Sequence, residues 1–73
     1  MSAMETLDFA LDGEFVELNQ LLKLVGVVDS GGAGKALVAS GVVRVDGTVE
    51  LRKTAKIRRG QRVELQGVLI RVG

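Results

Sequence analysis

The chain has 73 residues, enough for one domain with one hydrophobic core, and its net charge is only +1. It contains no His, Cys, Tyr or Trp. The side chains that most often act as proton shuttles, nucleophiles and metal ligands are therefore missing, and we expect no catalysis, no metal and no cofactor. The first eleven residues lack a signal-peptide pattern, and no stretch reaches the ~20 apolar residues of a membrane span, so we expect a cytoplasmic protein.

The N-terminal third predicts a strand followed by a helix. Apolar and polar residues alternate over residues 6–12, which is typical of a half-buried strand. Over residues 15–25 the apolar residues recur at spacings of three and four, which predicts an amphipathic helix that Gly26 ends. The two aromatic residues of the chain, Phe9 and Phe15, fall at predicted core positions of these elements.

A second helix is predicted over residues 31–40, with Asp29 or Ser30 as its N-cap and Gly41 beyond its end. We place Gly31 and Lys35 on one side of this helix. The opposite side carries small or aliphatic residues that would let another helix approach closely, namely Ala33, Ala36 and Leu37.

The start of this second helix is glycine-rich and forms the first candidate site. Residues 29–35 read Asp-Ser-Gly-Gly-Ala-Gly-Lys. Unpaired backbone N–H groups beside glycines form a seat for a phosphate, and Lys35 adds a positive charge one turn later. The segment is not a nucleotide-binding P-loop, because Ala36 follows the lysine and the glycine spacing differs. A capped helix whose glycines only permit a tight turn would show the same pattern.

Residues 42–52 predict a β-hairpin with its turn at residues 46–47. A two-residue loop would place Arg44 opposite Val49 and mix charge into the apolar face. A three-residue loop or a bulge would pair Val45 with Val49 and Val43 with Leu51. We predict this second register, and two further strands over residues 62–65 and 68–72.

The strongest charge signal is a basic segment, residues 52–62, which contains no acidic residue. Residues 1–34 hold one basic side chain against six acidic ones, whereas residues 35–73 hold nine against three. Repulsion among close cations is relieved when phosphates bind and counterions leave. The segment taken alone could be a solvated loop, but the glycine-rich helix start and the hairpin are consecutive elements that can form one basic surface. The cations of the segment are Arg52, Lys53, Lys56, Arg58, Arg59 and Arg62.

The expected mode of binding is recognition of shape and backbone. Proteins that read single-stranded bases usually stack them on exposed aromatic rings, and here both aromatic residues are assigned to the core. We therefore expect phosphate contacts with folded or helical RNA, although charge alone does not exclude duplex DNA. The alternative is a protein-interaction module whose basic face docks an acidic partner.

Residues 17–65 resemble the RNA-binding domain named after ribosomal small-subunit protein four. The chain departs from the family's pattern at Gly31, where family members often have Arg, and at Gln61, where they commonly have Asp. The segments Ser30-Gly31-Gly32 and Glu50-Leu51-Arg52-Lys53, with Lys35 and Lys56, look like the short bacterial proteins made of this domain alone, the YbcJ-like group. The residues that carry the family resemblance are Leu18, Leu22, Gly26, Ser30, Leu37-Val38, Gly41-Val42, Val43-Arg44-Val45-Asp46-Gly47 and Gly60.

The resemblance implies an α+β fold with an αL motif, in which two packed helices precede a small, mostly antiparallel β-sheet. With the short N-terminal strand, residues 1–73 would form a single RNA-binding domain. It implies a noncatalytic protein that binds structured RNA, such as ribosomal RNA, and we expect a monomer with no small-molecule substrate. The candidate RNA contacts are Ser30, Gly31, Gly32 and Lys35 at the helix start, and Arg44, Arg52, Lys53, Lys56, Arg58 and Arg59 in the hairpin and the basic segment.

Overall fold

The structure, a computed structural model, describes residues 5–73. Residues 1–4, which open the segment without a signal-peptide pattern, lie outside the described residues. Two helices precede most of a small, mainly antiparallel sheet, which confirms the predicted α+β fold class and its N-terminal strand. The elements in chain order are β1 (Glu5–Phe9), β2 (Val16–Glu17), α1 (Leu18–Leu24), α2 (Gly31–Ala39), β3 (Arg44–Val45), β4 (Thr48–Val49), β5 (Lys56–Ile57), β6 (Arg62–Leu65) and β7 (Val68–Val72).

Helix α1 is shorter than the sequence predicts because the chain before it forms a strand. Val16 in β2 pairs with Ile57 in β5, and the chain is still extended at Glu17. The apolar spacing that suggests a helix from residue 15 thus includes Phe15 by coincidence. The prediction that Phe15 is a core residue is wrong, since it is 39% exposed, whereas Phe9 packs against the core as predicted.

The end of α1 agrees with the sequence. Gly26 has a φ of +83°, a left-handed conformation that glycine adopts at little cost. The N–H of Gly26 donates to the carbonyl of Lys23, and the N–H of Val27 donates to the carbonyl of Leu22. These two bonds satisfy carbonyls that the helix would otherwise leave unpaired. Neither helix in the described part of the chain is long and apolar enough to cross a membrane.

Helix α2 begins at the predicted position, and Ser30 is its N-cap. The Ser30 hydroxyl accepts a hydrogen bond from the N–H of Ala33 at 3.1 Å. Side-chain caps of this kind stabilise a helix by about 1 kcal/mol. The choice between Asp29 and Ser30 is thereby decided in favour of the serine.

The two helices approach closely, as predicted, but through other residues of α2. Gly34 is buried against α1, and a Cβ atom on it would lie 2.6 Å from the carbonyl oxygen of Asn19. Ala33 and Ala36 are exposed, so their assignment to the contact side is wrong. Gly31 lies near the Gln20 side chain of α1 rather than on the far side. Glycine occupies the contact position because any side chain there would hold the two helix backbones apart.

The main sheet has the strand order β1-β7-β6-β3-β4, and β2 and β5 form a separate two-stranded ribbon. β1 runs parallel to β7, whereas β7, β6, β3 and β4 are antiparallel in succession. Asp8 and Arg71 are direct partners across β1 and β7 and form an ion pair at 2.8 Å. Helices and strands share one core, whose fully buried apolar residues include Leu18, Leu21, Leu22, Val38, Val43, Ile57, Val63 and Ile70.

The predicted register of the β3–β4 hairpin is wrong. Arg44 pairs with Val49 and Val45 with Thr48, so the loop has two residues. Those residues, Asp46 and Gly47, have φ values of 51° and 84°. Positive φ at both central positions is typical of the tight turn that Asp-Gly favours in hairpins. Burial could not select the register here, because β4 is an edge strand and Val49 is 45% exposed.

Candidate nucleic-acid interface

An open cleft of about 650 Å³ lies between α2 and the basic segment. Lys35 comes from α2, whereas the other lining residues come from the part of the basic segment that leads into β5. Two elements that are separated in sequence thus bring four cations to one place. The residues that line the cleft are Lys35, Arg52, Lys53, Thr54, Ala55 and Lys56.

Backbone hydrogen bonds attach the basic segment to the start of α1. The first N–H groups of a helix have no partner inside it, and here Glu17 provides no side-chain cap. The N–H of Leu18 donates to the carbonyl of Ala55 at 2.9 Å, and the N–H of Asn19 donates to the carbonyl of Lys53 at 3.1 Å. Ala55 is also buried. The segment is therefore held by its backbone while its lysine and arginine side chains remain exposed.

The β2–β5 ribbon fixes the far end of the segment. The sequence predicts no strand at residues 56 and 57, whereas in the structure they form β5 opposite β2. Ile57 is only 1% exposed and anchors the ribbon in the core, whereas Lys56 is exposed beside the cleft. β5 has two residues, of which only Ile57 is apolar, so its strand signal in the sequence is weak.

The start of α2 carries the two glycines that the sequence predicts as part of a phosphate site. The N–H groups of Gly31 and Gly32 are the first two of the helix, so they have no acceptor within it. Gly32 is exposed, whereas Gly31 is half-buried beside the side chain of Gln20. Lys35 follows one turn later and is exposed. This end of the helix can therefore offer both backbone donors and a positive charge to an anion.

Arg52 is paired with an acidic neighbour. Its guanidinium donates to both carboxylate oxygens of Glu50, at 2.9 and 3.0 Å, and its backbone N–H donates to the same carboxylate at 3.0 Å. The hydrogen bonds from the Arg52 guanidinium, which have the larger effect, and from its backbone N–H lower the pKa of Glu50 to about 2. Arg52 is thus held at the cleft, and a phosphate that binds it must compete with Glu50.

Two cations of the ribbon contact an aromatic ring. The Lys56 ammonium nitrogen lies 4.9 Å from the centroid of the Phe15 ring, and the Arg58 guanidinium carbon lies 5.7 Å from it. Cations within about 6 Å of a ring centroid are attracted to its electron-rich face. Phe15 is predicted from the sequence to lie in the core. Phe15 and Val16 are both apolar, so no local alternation of apolar and polar residues distinguishes the outward side chain from the inward one.

Six candidate residues do not line the cleft: Ser30, Gly31 and Gly32 at the start of α2, and Arg44, Arg58 and Arg59. Arg44 is exposed on β3, where its strand partners are Val49 and Glu64, and it does not line the cleft. Arg59 points to the N-terminal part of the chain, because its guanidinium donates to the carbonyl of Leu11 at 2.7 Å. The structure therefore brings Lys35, with the cations of residues 52–56, into one cleft and places Arg59 in a structural contact.

Comparison with known proteins agrees with the resemblance described for residues 17–65. Residues 9–73 match the family profile described as the S4 domain. YbcJ of Escherichia coli (strain K12) and YbcJ of Shigella flexneri are each 49% identical to this chain over 57 residues, which cover 78% of this chain and 81% of the relative.

A solved structure supports the same relationship over nearly the whole chain. The solution structure of YbcJ from E. coli, described as revealing an αL motif involved in RNA binding, is 44% identical to this chain and has a TM-score of 0.67. The similarity covers 99% of this chain and 90% of that protein. Sequence and fold therefore agree that the chain belongs to the S4 domain family.

Proposed function

We propose that this chain is a noncatalytic RNA-binding domain that recognises structured RNA through its phosphate backbone. The observation that carries the proposal is the meeting of Lys35 from α2 with Arg52, Lys53 and Lys56 in one cleft. The similar protein YbcJ, with its αL motif involved in RNA binding, supports the choice of RNA over other polyanions.

The cleft suits phosphates because its positive charges are close together. Four basic side chains line a space of about 650 Å³, and like charges gathered in one place repel one another. Binding of phosphates removes this repulsion and releases counterions from the RNA, which makes affinity fall with salt. The N–H of Gly32, an exposed residue at the start of α2, offers a further donor to the RNA backbone.

The rigidity of the cleft favours structured RNA over a flexible single strand. The basic segment is fixed by the hydrogen bonds to Leu18 and Asn19 and by the pairing of β5 with β2. The backbone positions from which its cations extend are therefore held at set spacings, which suits a ligand whose phosphates are themselves held in place. Helical RNA is recognised in this way, by shape and by phosphate and 2′-hydroxyl contacts rather than by base edges.

Salt dependence tests the proposal. If about four to six phosphates are bound, the logarithm of the association constant should fall with the logarithm of the salt concentration at a slope of about −3 to −5. The titration uses an RNA hairpin and fluorescence anisotropy of a dye on the RNA. A flat titration between low and physiological salt would contradict the proposal.

A matched set of lysine variants locates the phosphate contacts. Lys35→Gln and Lys56→Gln should each weaken binding and reduce the steepness of the salt slope by about 1, to a similar degree for hairpins of different sequence. Lys23→Gln is the control, because Lys23 is exposed in the last turn of α1 and does not line the cleft. Equal losses in all three variants would point to net charge rather than to the cleft.

A further inference from the structure

Phe15 is an exposed aromatic side chain at the border of the basic surface. It is one of two aromatic residues in the chain and is 39% exposed, just before β2. In the ribbon, Val16 pairs with Ile57 and Glu17 with Lys56, so continuation of the register places Phe15 opposite Arg58. Alternate residues of a strand share a face. Phe15 therefore shares the outer face of the ribbon with Lys56 and Arg58, whereas Ile57 faces the core.

The ring is continuous with the cleft through Lys56. The ammonium nitrogen of Lys56 is 4.9 Å from the ring centroid, and the same lysine lines the cleft. The Arg58 guanidinium carbon is 5.7 Å from the centroid. An aromatic surface that is partly open to solvent thus lies directly beside two side chains suited to phosphates.

We propose that Phe15 is a stacking platform for one unpaired base of the bound RNA, with Lys56 and Arg58 contacting the phosphates beside that base. This inference rests on the proposed RNA-binding function and narrows its ligand. Proteins that bind unpaired nucleotides combine cations along the backbone with aromatic rings on which bases stack. The preferred ligand is then a folded RNA with a bulged or unpaired nucleotide next to a helix, rather than an uninterrupted duplex.

Two RNA hairpins test the platform, one with a fully paired stem and one with the same stem interrupted by an unpaired adenosine. The wild-type chain should bind the interrupted stem more tightly. Loss of base stacking on an aromatic ring weakens binding by about 5- to 150-fold, so Phe15→Leu should remove most of the preference and leave binding of the paired stem within about twofold. Phe15→Trp should retain the preference, and circular dichroism checks that each variant is folded.

The tryptophan variant also gives a direct signal of stacking. The chain contains no Trp or Tyr, so Phe15→Trp introduces a single fluorophore into the protein. Its emission should be quenched by the interrupted stem and much less by the paired stem. Leu24→Trp is the matched control, since Leu24 is 60% exposed at the C-terminal end of α1, whereas Phe15 precedes the start of that helix. The emission of this second tryptophan variant should respond little to either RNA.

The outcomes separate the platform from a packing role and from the proposed function. Quenching specific to the interrupted stem, together with loss of preference in Phe15→Leu, supports the platform. Equal weakening of both RNAs in Phe15→Leu would show that the ring only positions Lys56 and Arg58, which overturns the inference while RNA binding stands. If the wild-type chain binds neither hairpin, the proposed function and the platform are both overturned.

Discussion

Two glycines of α2 should respond in opposite directions to the same substitution. Gly32→Ala should stabilise the protein, whereas Gly34→Ala should destabilise it. A Cβ atom at Gly32 would have only the Ser30 hydroxyl within 4 Å, at 3.9 Å, which is ordinary contact. At Gly34 the new atom would lie 2.6 Å from the Asn19 carbonyl oxygen and 3.2 Å from the Asn19 Cα atom. These are backbone atoms, so no side-chain rotation can relieve the overlap.

The magnitudes follow from these contacts. Alanine is favoured over glycine in a helix by about 0.5–1 kcal/mol, and this is the upper limit of the gain in Gly32→Ala. An added methyl group in a packed site costs about 1–3 kcal/mol, and the overlap with backbone atoms places Gly34→Ala at the upper end of that range. The variant should therefore lose about 2 kcal/mol after the helix preference is subtracted. In a domain of this size, 1 kcal/mol shifts the thermal midpoint by about 4–8 °C.

Thermal unfolding followed by far-ultraviolet circular dichroism measures the pair, because the chain has no Trp or Tyr to report tertiary structure by fluorescence. The midpoints of the two variants should lie on opposite sides of the wild-type value. A Gly34→Ala variant as stable as Gly32→Ala would refute the close approach of α2 to α1. Gly32→Ala also tests the interface, because it should weaken RNA binding even though the fold is more stable.

Three further substitutions examine charge and turn contacts. Glu50→Gln should tighten RNA binding, because the Arg52 guanidinium loses the carboxylate that competes with phosphate. Folding lowers the pKa of Glu50 to about 2, so the carboxylate's contribution to stability is full above pH 4.5 and should disappear as the pH falls towards 2. A stability difference between Glu50→Gln and wild type that persists unchanged at pH 2 would contradict this. Asp46→Ala should destabilise more than Asp46→Asn by chemical denaturation, because Asn tolerates the φ of 51° and keeps an acceptor for the backbone N–H that begins β6; equal losses would contradict it. Arg59→Gln should lower the thermal midpoint and leave the salt slope of RNA binding unchanged, because Arg59 binds the Leu11 carbonyl; a slope that becomes less steep by about 1 would return Arg59 to the interface.

Local chemistry explains the part of the fold that was predictable. The C-terminal ends of both helices follow from Gly26 and Gly41, whose φ values are +83° and +84°, and the start of α2 follows from the Ser30 cap. The strands predicted over residues 62–65 and 68–72 coincide with β6 and β7. A cap, a turn or an alternating strand depends on neighbours within a few residues, so its signal is contained in a short stretch of sequence.

The sequence predicted which types of residue form the candidate site, but not which of the cations lie in it. The cations of the basic segment and Lys35 are visible as letters, and the structure brings four of them into one cleft. Arg59 looks the same in sequence, yet its guanidinium binds a carbonyl 48 residues earlier in the chain. A side chain's partner at that separation depends on how the strands assemble, and no local pattern reports it.

The sequence by itself determined the family, the α+β class, the C-terminal ends of both helices, the start of α2 and the polarity of charge along the chain. Tertiary structure alone decided the exposure of Phe15, the register of the β3–β4 hairpin and the choice of Gly34 as the helix contact. Exposure and register depend on which strand covers which face. β5 pairs with residues 16 and 17 to form a ribbon, and β4 has a neighbouring strand on one side only. Burial is a property of the assembled neighbours, so residues with the same periodicity can end in the core or at the surface.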